Sequence, residues 1–124
     1  MTILGLHHAQ ITVATGDEAR ARQFYCGVLG LPEIEKPRSL KDMGGFWVQV
    51  GDRAMHIGVE DNVDRSATKA HLAYQVDDVA AWRTKIRETG IATLDSIAIP
   101  GFDRFEFRDP FGNRVELIQV TRSR

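Results

Sequence analysis

The sequence predicts an α+β protein built from two βαβββ modules, and three observations predict it. A β-α-β-β-β pattern occurs twice; each copy opens with an alternating strand that leads into an amphipathic helical stretch; and a polar segment without apolar period separates the copies. We read residues 1–124 as a single domain, with module one at about 1–63 and module two at about 64–124.

Module one begins in "HHAQITV", passes a polar turn, enters the helical stretch ending "FYCGVLGL", and leaves through Leu29-Gly30-Leu31. Short strands follow at Glu33 to Glu35, Phe46 to Val50 and Ala54 to Val59, the last two joined by Gly51-Asp52-Arg53. The segment "DNVDRSATK", residues 61–69, is the boundary. Module two repeats the plan. An alternating strand in "AHLAYQV" runs into Asp77-Asp78, a helix start, then an apolar stripe of Val79, Trp82 and Ile86 stopped at Gly90. Its remaining strands are Ala92 to Ile99, Arg104 to Arg108 and Arg114 to Val120, with Asp109-Pro110-Phe111-Gly112-Asn113 as the turn between the last two. Half of this chain leaves a sheet face uncovered and an edge unpaired, so neither module is expected to be stable alone.

Composition narrows the function. With 124 residues, 43% hydrophobic side chains and a net charge of -1, the chain gives no reason to expect nucleic acid or an anionic membrane as partner. It has no run of about 18 apolar residues and no basic, apolar leader, so a cytoplasmic protein is expected. Cys26 is the single cysteine and is read as a half-buried helical residue, with no disulfide and no thiolate zinc site.

Strand parity places the polar residues. In the first strand Ala9, Ile11 and Val13 cover the helix, while His8, Gln10 and Thr12 point the other way; in module two Leu72, Tyr74 and Val76 oppose His71, Ala73 and Gln75. Met55, Ile57 and Val59 face the core, which leaves His56 on the far face, and repeat logic makes Glu116 the partner of His56. A Glu inside a strand is disfavoured, and one facing a packed layer must be paired, protonated or bound to a cation. His8 and His71 open equivalent strands; His56 and Glu116 sit on equivalent closing strands. Three imidazoles and a carboxylate suit a divalent transition metal: Zn, Ni, Fe or Mn. His7 has the wrong parity and is left out.

"LHHAQITV" with "FYCGVLGL", then "GDRAMHIGVE", "AHLAYQVDD" and "FRDPFGNRVELIQ", resemble the vicinal oxygen chelate superfamily, the fold of glyoxalase, bleomycin-resistance and extradiol dioxygenase proteins. The resemblance spans essentially the whole chain. It implies a curved eight-stranded mixed sheet with helices on its outer face, and a homodimer whose modules are often paired across the subunit interface. It carries the metal positions onto His8, His56, His71 and Glu116. His56 departs from glyoxalase I, which usually has Glu or Gln there; Glu106 stands where the fosfomycin thiol transferases have Tyr, and their cation-binding loop is not found in "AIPGFDRF".

The resemblance implies a metal-dependent enzyme, a glyoxalase-like lyase or isomerase acting on a small oxygenated substrate that chelates the metal. A metal-free sequestering protein of the bleomycin-resistance kind and a ring-cleaving dioxygenase are the alternatives. Proton transfer falls to Glu106 or to a dissociating Glu116. Glu106 could equally be an exposed strand residue paired with Arg104 or Arg108. Gln10, Thr12, Trp47, Gln49 and Gln75 line the substrate side by parity, although Trp47 could instead serve a dimer core. The loop 36–45 is a candidate lid, with Lys36, Arg38 and Lys41 able to meet an anion or simply to be solvated.

Overall fold

The computed structural model describes residues 1–121 and divides the chain into two compact units, Met1–Val63 and a second beginning at Asp64. Each carries one four-stranded mixed sheet, so the eight strands of an α+β, two-module protein are present as four per module.

In the first unit the strands are β1 (His8–Val13), β2 (Glu33–Ile34), β3 (Phe46–Val50) and β4 (Arg53–Val59), in the order β1-β4-β3-β2. β1 and β4 run parallel, and the other pairs are antiparallel. The helical stretch is a short α1 (Glu18–Arg22) that widens into a π-helical turn over Gln23–Val28, where the Leu29 amide bonds the Phe24 carbonyl at 2.9 Å. Ala21, Phe24 and Tyr25 of this segment are buried, as are Val13, Phe46, Val48, Met55 and Ile57 of the sheet. Removing these apolar side chains from water holds the unit together, at roughly 1.5–3 kcal/mol for each large one.

The second unit has β5 (His71–Gln75), β6 (Thr93–Asp95), β7 (Phe102–Arg108) and β8 (Arg114–Val120), in the matching order β5-β8-β7-β6. Its helix α2 (Val79–Glu88) starts where Asp78 accepts a hydrogen bond from the Ala81 amide, at 3.1 Å. The core is Val79 and Ile86 with Phe105, Phe107, Val115 and Leu117. In the β7–β8 turn, buried Asp109 accepts from the Phe111 and Asn113 amides at 2.9 and 2.8 Å, the local carboxylate bonding that makes Asp a turn residue.

Two strands are shorter than expected: β2 ends at Ile34 rather than Glu35, and β6 is cut back further. Of Ala92 to Ile99 only Thr93–Asp95 pairs, and Ile99 contributes a lone bridge to Phe102. The chain doubles back at once through Gly101, at φ +88°, so residues 96–98 have no strand opposite them. The Ile97 carbonyl is taken instead by the Arg104 guanidinium, at 2.6 and 3.2 Å.

Candidate metal centre

The two modules place their candidate ligands by the same rule. On β1 and β4, His8 pairs in register with Ala54, and His56 lies two residues further along; on β5 and β8, His71 pairs with Arg114, and Glu116 lies two residues further along. Each histidine is thus the diagonal neighbour of its partner on a parallel strand, where side chains share a face.

In the first unit that face carries a stack of rings. Trp47 lies over His56 at a centroid distance of 3.7 Å and an interplanar angle of 2°, and His56 lies over His8 at 4.1 Å and 19°. Burial, with the charges of His8 and His7 behind it, pushes His56 below the ordinary histidine range. His7, omitted on parity, meets His8 edge-on, with their Nδ1 atoms 3.1 Å apart, and so orients the His8 ring. Only the adjacency in "HH" could have signalled it.

A cavity of about 480 Å³ opens on this face, lined by His8, Gln10, Trp47 and His56 together with Leu40 and Met43. Those last two belong to a 3₁₀ helix, Arg38–Met43, inside the expected lid loop. Of the loop's basic residues, Lys36 donates to the Gly44 carbonyl at 2.7 Å and Lys41 lies 3.8 Å from Glu35. Gln10 rests on Gly58, where an added Cβ would stand 2.8 Å from its Nε2. The Thr12 hydroxyl donates to Glu60 at 3.3 Å, and the Gln49 amide donates to the Gly51 carbonyl at 3.0 Å.

In the second unit Glu116 is 5% exposed, and its carboxylate does not stand alone. Oε1 lies 3.0 Å from His71 Nε2, and Oε2 lies 3.4 Å from Arg104 Nη1. His71 Nδ1 sits 2.9 Å from the Lys69 carbonyl, which only accepts, so Nδ1 carries the proton. Nε2 faces the carboxylate oxygen, and either a proton on that nitrogen or a divalent cation held between the two atoms satisfies the contact. A backbone carbonyl on one ring nitrogen is the usual support for a histidine that ligates through the other. An imidazole nitrogen and carboxylate oxygens gathered within 4.8 Å, from His71, Glu106 and Glu116, are a donor set that fits a divalent metal. Gln75 is exposed on β5 of the same unit.

Glu106 is not an exposed strand residue and pairs with neither Arg104 nor Arg108. It is half-buried directly opposite Glu116 in register, and Arg114 holds its Oε2 through Nε and Nη2 at 3.0 and 2.7 Å. Arg108 donates to the carbonyls of Arg65, Gly112 and Thr68. Arg104 and Arg114 were absent from the expected site, although strand parity alone puts both on its face. Away from this face, Cys26 is half-buried in the π turn, where burial and the Glu33 charge push its thiol up.

The model of the Glyoxalase/Bleomycin resistance protein/Dioxygenase superfamily matches residues 5–117. The chain belongs to this superfamily. Among solved structures, a glyoxalase family protein from Bacillus anthracis is 38% identical, with a TM-score of 0.88, covering 97% of this chain and 98% of that one. At the level of fold, the superfamily's fosfomycin resistance protein FosX from Listeria monocytogenes, complexed with Mn(II) and sulfate, is 19% identical with a TM-score of 0.73 and covers 94% and 90%. Lactoylglutathione lyase from Agrobacterium tumefaciens is 19% identical with a TM-score of 0.71 and covers 98% and 97%. Comparison with the curated proteins finds no match. No helix among the described residues of this superfamily member is long and apolar enough to cross a membrane.

Proposed function

We propose that this protein is a metal-dependent enzyme of the vicinal oxygen chelate type, a glyoxalase-like lyase or isomerase acting on a small oxygenated substrate. Its ligands are His8, His56, His71 and Glu116, and the metal is Zn, Ni, Fe or Mn. The observation that carries this reading is the pairing of His71 Nε2 with Glu116 Oε1 at 3.0 Å while Nδ1 is spent on the Lys69 carbonyl. Family membership and the matching diagonal of His8 with His56 support it.

When bound, a divalent ion supplies a Lewis acid for charge developing on a substrate oxygen. The chain supplies the rest. Lys69 fixes the His71 ring, and Arg104, anchored on the Ile97 carbonyl, steadies the second oxygen of Glu116. Glu106, a half-buried carboxylate on the same face, is the group that moves the substrate proton, with Glu116 as the other carboxylate in reach. Gln10 and Trp47 offer the substrate a hydrogen-bonding amide and an aromatic wall beside His56, and Thr12, Gln49 and Gln75 add polar groups on the two faces. The protein works in the cytoplasm as a homodimer; the exposed apolar Ile3, Leu4 and Leu6 support association between copies.

The test is the metal content of protein purified without chelator, compared with His56→Ala and Glu116→Ala. Stoichiometric metal in the native protein, lost in both variants, is expected. A native protein that is metal-free yet still binds a small molecule overturns the enzyme reading in favour of sequestration.

A further inference from the structure

We infer that Glu106 is itself a metal ligand in the substrate-free protein, so that the second module alone offers an imidazole and two carboxylates to a divalent cation. This rests on the metal-dependent reading above and adds to it a donor that the repeat does not contain.

The geometry begins with an awkward pair. Glu106 and Glu116 are directly opposite on antiparallel β7 and β8, on the same face, and both are largely withdrawn from water; their side chains are 13% and 7% exposed. Like charges directly opposite in a sheet repel, and burial magnifies the cost. Two arginines relieve it on the diagonals: Arg104, two residues before Glu106, reaches Glu116, and Arg114, two residues before Glu116, reaches Glu106. These contacts are one-sided. Arg114 places both of its hydrogen bonds on Oε2 of Glu106, and Arg104 also takes Oε2 of Glu116. Among the described residues, Oε1 of Glu106 receives no hydrogen bond, while Oε1 of Glu116 faces only His71 Nε2.

Two arginines that take the Oε2 atoms leave the Oε1 atoms for a cation. One ligand atom from each of His71, Glu106 and Glu116 already lies within 4.8 Å of the other two. Neighbouring ligands on one small divalent ion are about 3.0–3.4 Å apart, given bonds of about 2.1 Å. The 3.0 Å between His71 and Glu116 already falls there, and rotation about the Glu106 side-chain torsions closes the remaining gap. One carboxylate oxygen cannot ligate and accept a proton at once. Ligation by Glu106 therefore belongs to the resting protein, and its proton-transfer role to the protein with substrate in place.

The experiment titrates the full chain, stripped of metal, with Co²⁺, following visible absorption and calorimetric heat, in native protein and in Glu106→Gln, which keeps an acceptor oxygen for Arg114. The expected result is one Co²⁺ per chain in both, with about tenfold or greater loss of affinity in the variant and a shifted d–d band as a carboxylate leaves the ion. Equal affinity and an unchanged spectrum in the variant overturn this inference while leaving the four-ligand reading intact. Weaker binding with an unchanged spectrum also overturns it, because the carboxylate would then act only through its charge. Native protein that binds no Co²⁺ overturns both. Should the variant not fold, the Zn²⁺-induced infrared difference spectrum of native protein decides: two shifted carboxylates support Glu106, and one excludes it.

Discussion

Trp47 lies flat on His56, with ring planes 2° apart and centroids 3.7 Å apart, and the two residues are direct cross-strand partners on β3 and β4. The stack withdraws the imidazole from water on one side while His8 crowds the other, 4.1 Å away.

A pH dependence follows. Burial first, then the neighbouring His8 and His7, lowers the proton affinity of His56 in the folded chain, so the unfolded chain binds more protons as pH falls into the histidine range. Metal-free protein therefore holds this share of its stability above the ordinary histidine pKa and loses it as pH drops toward the lowered folded value. Urea denaturation midpoints between about pH 8 and pH 5 measure this, and His56→Gln is expected to flatten the decline.

The base of the loop 36–45 depends on Gly45. At φ +77° it adopts a conformation that disfavours any side chain, and an added Cβ would stand 2.1 Å from the Ile57 carbonyl oxygen, which is backbone and cannot swing aside. Its amide also donates to Glu18 Oε2 at 2.7 Å. Gly45→Ala is expected to cost about 2–4 kcal/mol in denaturant unfolding. Gly51→Ala, at φ +59° in open space, should cost about 1 kcal/mol, the left-handed penalty alone.

The turn that delivers Glu116 depends on Asp109. Its Oδ1 accepts two backbone amides and its Oδ2 accepts Asn113 Nδ2 at 3.0 Å, all in a site where the residue is 4% exposed. Asp109→Ala strands these donors and should cost about 2–3 kcal/mol by the same measurement. Asp109→Asn keeps the Oδ1 acceptor and should cost roughly half as much. The Tyr74 phenol gives a second readout: burial and the Asp109 charge raise its pKa, so removing that charge eases its ionisation in an ultraviolet titration.

Much of the candidate site was legible in the sequence. That His8, His56, His71 and Glu116 share the face away from the helices follows from a period of two, which each strand obeys whatever lies beside it. The repeat made His56 and Glu116 equivalents, and the register bears this out with the same diagonal in each module. Two local irregularities escaped. The run Ala92 to Ile99 suggested a longer sixth strand, but only Thr93–Asp95 pairs along β7, with Ile99 making a lone bridge, and the helical stretch of the first module gave no sign of its π turn.

The sequence by itself determined the two-module plan, the strands and their faces, because these rest on side-chain alternation and on turn residues acting within a few positions. Only the tertiary structure decided which charges meet. Arg104 reaches Glu116 rather than Glu106, Arg114 reaches Glu106, and Trp47 covers His56, because each contact crosses between strands and depends on their register. A strand's own pattern states which way a side chain points; what stands beside it is set by how far the neighbouring strand has slid.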